Sequence, residues 1–295
     1  MAPKINRVDA TLFAVTVLAW GTTWYVILGQ FGVVHPIVSV GWRFLLASIA
    51  VLGICRLRGE RLTLTPNEHT LCAMLGLFLF CLNYGLFYTA SLTLTTGLIS
   101  VIFSTMVFWN ALGAHWFLKQ PLDYRALFGG GIGVSGLIIL FRVELLEFSW
   151  VGSGSIALLL SLLGTLSASV GNLVSATLQK GDLNVWNSTA FGMMYGTTIT
   201  FMFALINGYP IRFDLSPIYV MSLLYLVLIG SVVAVGSYLT LIGRIGPGRA
   251  AYATVIFPVV AIIVSVLFEG YELSLAALFA FSLVMIGNWL ALSKP

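Results

Sequence analysis

The chain has 295 residues, of which 59% are hydrophobic and only 8% charged, with a mean hydropathy of +1.03. An ordinary soluble domain carries about 25% charged residues, so a water-soluble fold is excluded. The formal charge of +4 does not imply nucleic acid, because Lys and Arg in a membrane protein set its topology.

A helix rises 1.5 Å per residue and the hydrocarbon layer is about 30 Å thick, so each crossing needs roughly 20 mostly apolar residues. Runs near 10–30, 37–57, 69–88, 97–118, 124–142, 155–177, 186–207, 217–242, 248–268 and 274–292 meet this need. They predict an all-α membrane protein of about ten transmembrane helices. The first run continues past Leu18 through Trp20 and Trp24 to Leu28, longer than the core of a signal peptide, and is expected to be retained. Cys55, Cys72 and Cys81 lack a CxxC spacing and lie in or beside apolar runs, which predicts free thiols with no disulfide, metal or cofactor role.

In the first span Trp20 and Trp24 share a face with Thr23 beside them. Trp20 lies about 15 Å into the run, too deep for an interfacial belt, and reads as a cavity wall. The second span carries Arg43, about 10 Å from its outer end at Pro36. Two roles stay open for it: snorkelling or holding neighbouring carbonyls, and binding a substrate carboxylate. The third span offers Asn83, Tyr84 and Tyr88, the tyrosines aligned at i, i+4 with Phe80 one turn earlier, as a surface for a ring or a cation. Core or lipid-facing aromatics are the plainer reading of the same residues.

Ser104, Trp109 and Asn110 follow in the fourth span, and Gly129, Gly133 and Gly136 in the fifth form a small-residue face for close packing. The sixth span holds a polar stripe, Ser161, Thr165, Ser169 and Asn172, whose hydroxyls and amide suit a zwitterion or a helix contact equally. Tyr238 and Tyr252 are further candidates for substrate binding. Pro258 should kink the ninth span by removing one backbone bond. Asn288 in the tenth reads as an interhelical hydrogen bond.

A cytoplasmic N-terminus collects Lys4, Arg7, Arg56, Arg58, Arg61, Lys119, Arg125, Lys180, Arg244, Arg249 and Lys294 inside and leaves Arg142 and Arg212 opposite. The acids divide evenly, with Glu144, Glu147, Asp214, Glu269 and Glu272 outside. That bias in Lys and Arg alone predicts both termini in the cytoplasm.

Ala126-Leu127-Phe128 recurs as Ala277-Leu278-Phe279, a shift of 151 that also pairs Gly97 with Gly248, Leu122 with Leu273 and Gly136 with Gly287. The chain reads as two copies, residues 1–148 and 149–295. Five spans per copy is an odd number, so the copies should be inverted, with a substrate site between them near the midplane.

LAWGTTWY in the first span, WRFLLA around Arg43, and the long segments 88–140 and 239–292 resemble the EamA-type family of the drug/metabolite transporter superfamily. The resemblance covers almost the whole chain. It implies ten helices around a central cavity and export of small metabolites, with amino acids, aromatic ones included, among the family's substrates. In the ninth span Pro258 stands where the family often has proline, while Val107 occupies the matching place in the fourth.

No Asp or Glu falls mid-span, which removes the residue a proton-coupled cation exporter needs. One Arg is too few for a phosphate. His69 and His115 lie near span ends and offer no proton relay. There is no HExxH, no GxSxG and no pair of buried carboxylates, so an enzyme is not expected. The reading that remains is an exporter in a bacterial inner membrane, working by alternating access and facilitative. It would carry large neutral or aromatic amino acids or similar small zwitterions, with the lipid bilayer as its other partner and a monomer sufficient. The alternative is efflux of other small metabolites or amphipathic cationic drugs with proton coupling.

Overall fold

The computed structural model describes residues 6–140, 142, 146, 152–268 and 275–292, and the regular structure among them is helical throughout. In chain order the helices are α1 (Arg7–Gln30, its last turn a 3-10 turn), α2 (Pro36–Leu57), α3 (Pro66–Ala90) and α4 (Leu98–Leu118). Next come α5 (Tyr124–Leu140) and α6 (Ser153–Lys180), then α7 (Val185–Ile206) and α8 (Pro217–Ile245). Last are α9 (Ala253–Phe268), which follows a short turn of helix at Pro247–Ala250, and α10 (Leu275–Leu292). Seven of them, α1 to α4 and α6 to α8, are long and apolar enough to cross a membrane, and α5 and α10 contain shorter apolar stretches. Lys4, Glu144, Glu147, Glu269, Glu272, Lys294 and the expected boundary between the copies lie outside the described residues.

The helix starts follow local chemistry. Asn6 and Asp9 form a capping box at α1, Thr65 and Glu68 form one at α3, and prolines occupy the first turns of α2, α3 and α8. α2 and α7 start 149 residues apart, and α3 and α8 start 151 apart. Both α3 and α8 also widen into a π-helical stretch, at Gly76–Leu82 and Leu226–Val233. Such stretches release carbonyls from the regular ladder and change the direction in which following side chains point.

The main core joins α1 to α4 with α6 to α8, while a second apolar cluster holds Val107, Leu137, Val255, Ala280 and Val284. In the second cluster α5 and α10 pack backbone to backbone. A Cβ at Gly129 would sit 2.5 Å from the carbonyl oxygen of Gly287, and one at Gly136 would sit 2.8 Å from that of Ala280. The small face expected on the fifth span is therefore used for close packing. Asn288 differs from expectation. Its amide nitrogen donates to the Val284 carbonyl of its own helix at 3.0 Å, because a short side chain reaches the i−4 carbonyl more readily than a neighbouring helix. Cys55, Cys72 and Cys81 are free thiols.

Candidate functional site

Arg43 is 1% exposed, so its side chain does not run outward to water along α2. Instead Nε donates to Ser231 Oγ at 2.9 Å and Nη1 donates to the Tyr88 hydroxyl at 3.2 Å. Its guanidinium carbon lies 4.7 Å from the centre of the Tyr84 ring. Three ion pairs link described residues, and none includes Arg43. A delocalised, weakly hydrated guanidinium against aromatic faces is the form in which a cation is least costly to bury.

The π stretch of α8 makes this contact possible. Gly230 brings the backbone so close that a Cβ there would stand 2.8 Å from both Arg43 Nη2 and Thr23 Cγ2. Its carbonyl accepts a hydrogen bond from Trp20 Nε1 at 3.3 Å, and the next residue is the Ser231 that receives Arg43. Four helices, α1, α2, α3 and α8, thus converge on one guanidinium.

Beside it is a cavity of about 50 Å3. Nine residues singled out from the sequence line it: Trp20, Thr23 and Trp24 on α1; Arg43; Asn83, Tyr84 and Tyr88 on α3; Asn172 and Tyr238. Phe103, Met106 and Phe257 complete the apolar wall. Trp20 packs against Tyr238 at 4.8 Å and Trp24 stacks on Phe257 at 5.8 Å. Asn83 spends its amide nitrogen on the Gly164 carbonyl at 3.0 Å. A volume of this size holds one or two waters, so the walls are closed upon each other rather than around a solute.

The other candidates lie elsewhere. Thr165 donates to the Ser161 carbonyl and Ser104 to that of Val101, each within its own helix. Ser169 is buried outside the lining, and Trp109 is 38% exposed. Pro258 sits inside α9 next to Phe257, whose ring lines the cavity. Tyr252 is buried against a second and larger cavity.

That larger cavity, about 930 Å3, opens at the end of the bundle where α1 begins and is reached by Ala111, Ala176 and Tyr252. Arg125, Lys180, Arg244 and Arg249 line it together with Asp123. Arg244 pairs with the buried Asp9, and Arg249 lies 3.4 Å from Asp123. Between the two cavities stands a polar partition. Asn172 Nδ2 donates to the Tyr238 hydroxyl at 3.2 Å, Met106 Sδ at 3.2 Å and Asn110 Oδ1 at 3.4 Å, while Asn110 Nδ2 donates to the Pro247 carbonyl at 3.0 Å. The partition is thin, since Ala176 in the large cavity follows Asn172 by one helical turn, about 6 Å.

The opposite end is sealed by uncharged contacts. Gln30 Nε2 donates to the Tyr219 carbonyl at 3.0 Å and to Ser222 Oγ at 2.6 Å, and the Ser39 and Tyr219 hydroxyls meet at 3.0 Å. The His35 ring stacks on Tyr209 with centroids 3.7 Å apart. Gly230, Ser231 and Gln30 escaped the sequence reading; small or single polar residues in an apolar run look like ordinary helix packing, and a π stretch shifts the register by which faces are counted.

Comparison with known proteins agrees with this architecture. The model of the EamA-like transporter family matches twice, over residues 9–142 and 155–293. The chain is 27% identical to "Uncharacterized inner membrane transporter YedA" of Escherichia coli (strain K12), over 96% of this chain and 92% of that protein. It is 24% identical to a "Probable amino-acid metabolite efflux pump" of Salmonella typhimurium, over 97% of this chain and 95% of that protein. A crystal structure that shares 14% sequence identity superposes with a TM-score of 0.80 over 96% of both chains, which establishes the fold. With two matches that together take in most of its length, the chain belongs to the EamA-like transporter family.

Proposed function

We propose that the protein exports large neutral or aromatic amino acids, or similar small amino-acid metabolites, across a bacterial inner membrane by alternating access. Ten helices cross the bilayer as two inverted five-helix repeats, residues 1–148 and 149–295, with both termini in the cytoplasm. The regular offset between corresponding helices and the π stretches shared by α3 and α8 support the repeat. The Lys and Arg bias supports the orientation and makes the 930 Å3 cavity the cytoplasmic vestibule. The relatives carry the printed names of an inner membrane transporter and an amino-acid metabolite efflux pump, which support the membrane and the substrate class.

One observation carries this reading: the small cavity lined by Trp20, Trp24, Tyr84, Tyr88 and Arg43, with a separate seal at each end. An aromatic wall accepts an apolar side chain, and the guanidinium accepts a carboxylate. Separate seals are what a carrier needs to expose one site alternately to two compartments. No acid among the described residues lines the cavity, which supports a facilitative carrier. Counterflow into proteoliposomes preloaded with phenylalanine tests the reading. Saturable uptake that competes with tryptophan and tyrosine is expected. Uptake that is absent, or proportional to concentration without limit, overturns it.

A further inference from the structure

Resting on that reading, we propose that the preferred solute is a small apolar monocarboxylate whose amino group is absent or acylated, carried as an anion in preference to a free zwitterion. Among the described residues the central cavity has one charged lining residue, Arg43, and it is in none of the three ion pairs. A carboxylate docking there would neutralise the buried charge and take up guanidinium N–H groups beyond those given to Ser231 and Tyr88. An ammonium would meet the opposite situation. No Asp or Glu among the described residues lines the cavity, so a zwitterion would bury a second cation with no acidic side chain beside it.

The lining does hold a neutral acceptor. Asn172 is fully buried and its Oδ1 has no hydrogen-bond partner. An uncharged amide N–H, such as an acylated amine carries, satisfies such an oxygen without bringing charge.

The cytoplasmic vestibule points the same way independently. Arg125, Lys180, Arg244 and Arg249 face it against Asp123, with Asp9 behind Arg244, leaving a net charge of about two positive units. Lys180 donates to the Leu118 carbonyl at 3.4 Å and is in none of the three ion pairs. A concave cationic mouth concentrates anions and turns their carboxylates inward. The same charges that fix orientation therefore select what approaches.

The energetic consequence is direct. An anion leaving a cell whose interior is negative moves down the electrical gradient, and each 100 mV supports about a fifty-fold concentration ratio for one charge. Export of this kind needs no proton relay, and no acid among the described residues lines the central cavity to provide one.

The test uses the full chain in proteoliposomes with three solutes that share one ring: N-acetylphenylalanine (anion), phenylalanine (zwitterion) and phenethylamine (cation). We expect kcat/KM to fall at least ten-fold from the anion to the zwitterion and further to the cation. Under a potassium-diffusion potential set with valinomycin, N-acetylphenylalanine should accumulate on the positive side and phenylalanine should not. Arg43→Gln should abolish the preference, Arg43→Lys should keep part of it, and Lys180→Glu should raise KM for the anion alone. Equal transport of phenylalanine and N-acetylphenylalanine, indifferent to potential, would overturn the inference and leave amino-acid export standing. Transport of none of the three would overturn both.

Discussion

The Asn172 amide donates to the Tyr238 hydroxyl at 3.2 Å, and this contact between α6 and α8 stands where the central cavity meets the larger one. Both side chains are fully buried or nearly so, and each also touches Asn110. In the proposed mechanism, parting α6 from α8 at this point would join the two cavities.

Asn172→Ala removes from that partition the two N–H donors shared among Tyr238, Met106 and Asn110, while leaving the Trp20–Tyr238 ring contact in place. A buried hydrogen bond contributes about 0.5–1.5 kcal/mol net, so loosening the partition should cost up to roughly ten-fold in transport rate. Counterflow by the purified variant, normalised to inserted protein, measures this. Wild-type transport by a normally inserted Asn172→Ala or Trp20→Ala variant would remove these residues from the transport path.

Arg43→Met separates holding from binding. A buried cation with no acidic partner is costly, so an apolar side chain of similar length should leave stability within about 2 kcal/mol of wild type or improve it. Transport of the carboxylate solute should be lost. Thermal unfolding in detergent read beside counterflow distinguishes the outcomes, and a large fall in Tm would make Arg43 a structural clasp.

Gly230→Ala puts a methyl group 2.8 Å from Arg43 Nη2 and Thr23 Cγ2. Overpacking of this kind costs about 1–3 kcal/mol, and here it pushes the guanidinium out of place. Gly53→Ala on α2 is the matched control, since nothing lies within 4 Å of its added Cβ and helix propensity improves by up to about 1 kcal/mol. The first variant should lower Tm and raise KM; the second should do neither.

His35 gives the end of the bundle opposite the larger cavity a dependence on pH. Its ring stacks on Tyr209, Nδ1 accepts the Ile37 backbone N–H at 3.3 Å, and burial holds its pKa below the ordinary histidine value of about 6.5. Between the lowered folded pKa and the ordinary value, the unfolded chain binds more protons than the folded one. Stability is therefore full above about pH 6.5 and declines as acidification proceeds through that window. Tm measured from pH 7.5 to 5 should fall for the wild type and fall less for His35→Gln; parallel curves would exclude His35 as the cause.

Seven of the ten expected spans and nine residues of the cavity wall are legible in the sequence because both depend on helical spacing. Trp20 with Trp24, and Tyr84 with Tyr88, are four residues apart, and each pair reaches the same cavity. The stripe on the sixth span was read less well. Ser161 and Thr165 turn back to carbonyls of their own helix, and only Asn172, with its longer amide, reaches across to other helices. Gly230 and Ser231 were not foreseen because their role comes from a π stretch opposite Arg43, a meeting of residues 188 apart that no local pattern encodes. Tyr252 resembles the other tyrosines in composition, yet it lies in the turn before α9 and lines the larger cavity.

A chamber of about 50 Å3 has room for one or two waters and cannot thread a continuous file of them between the two faces of the membrane. Protons cross proteins along such files. A cavity that holds so few waters supplies no such path by itself.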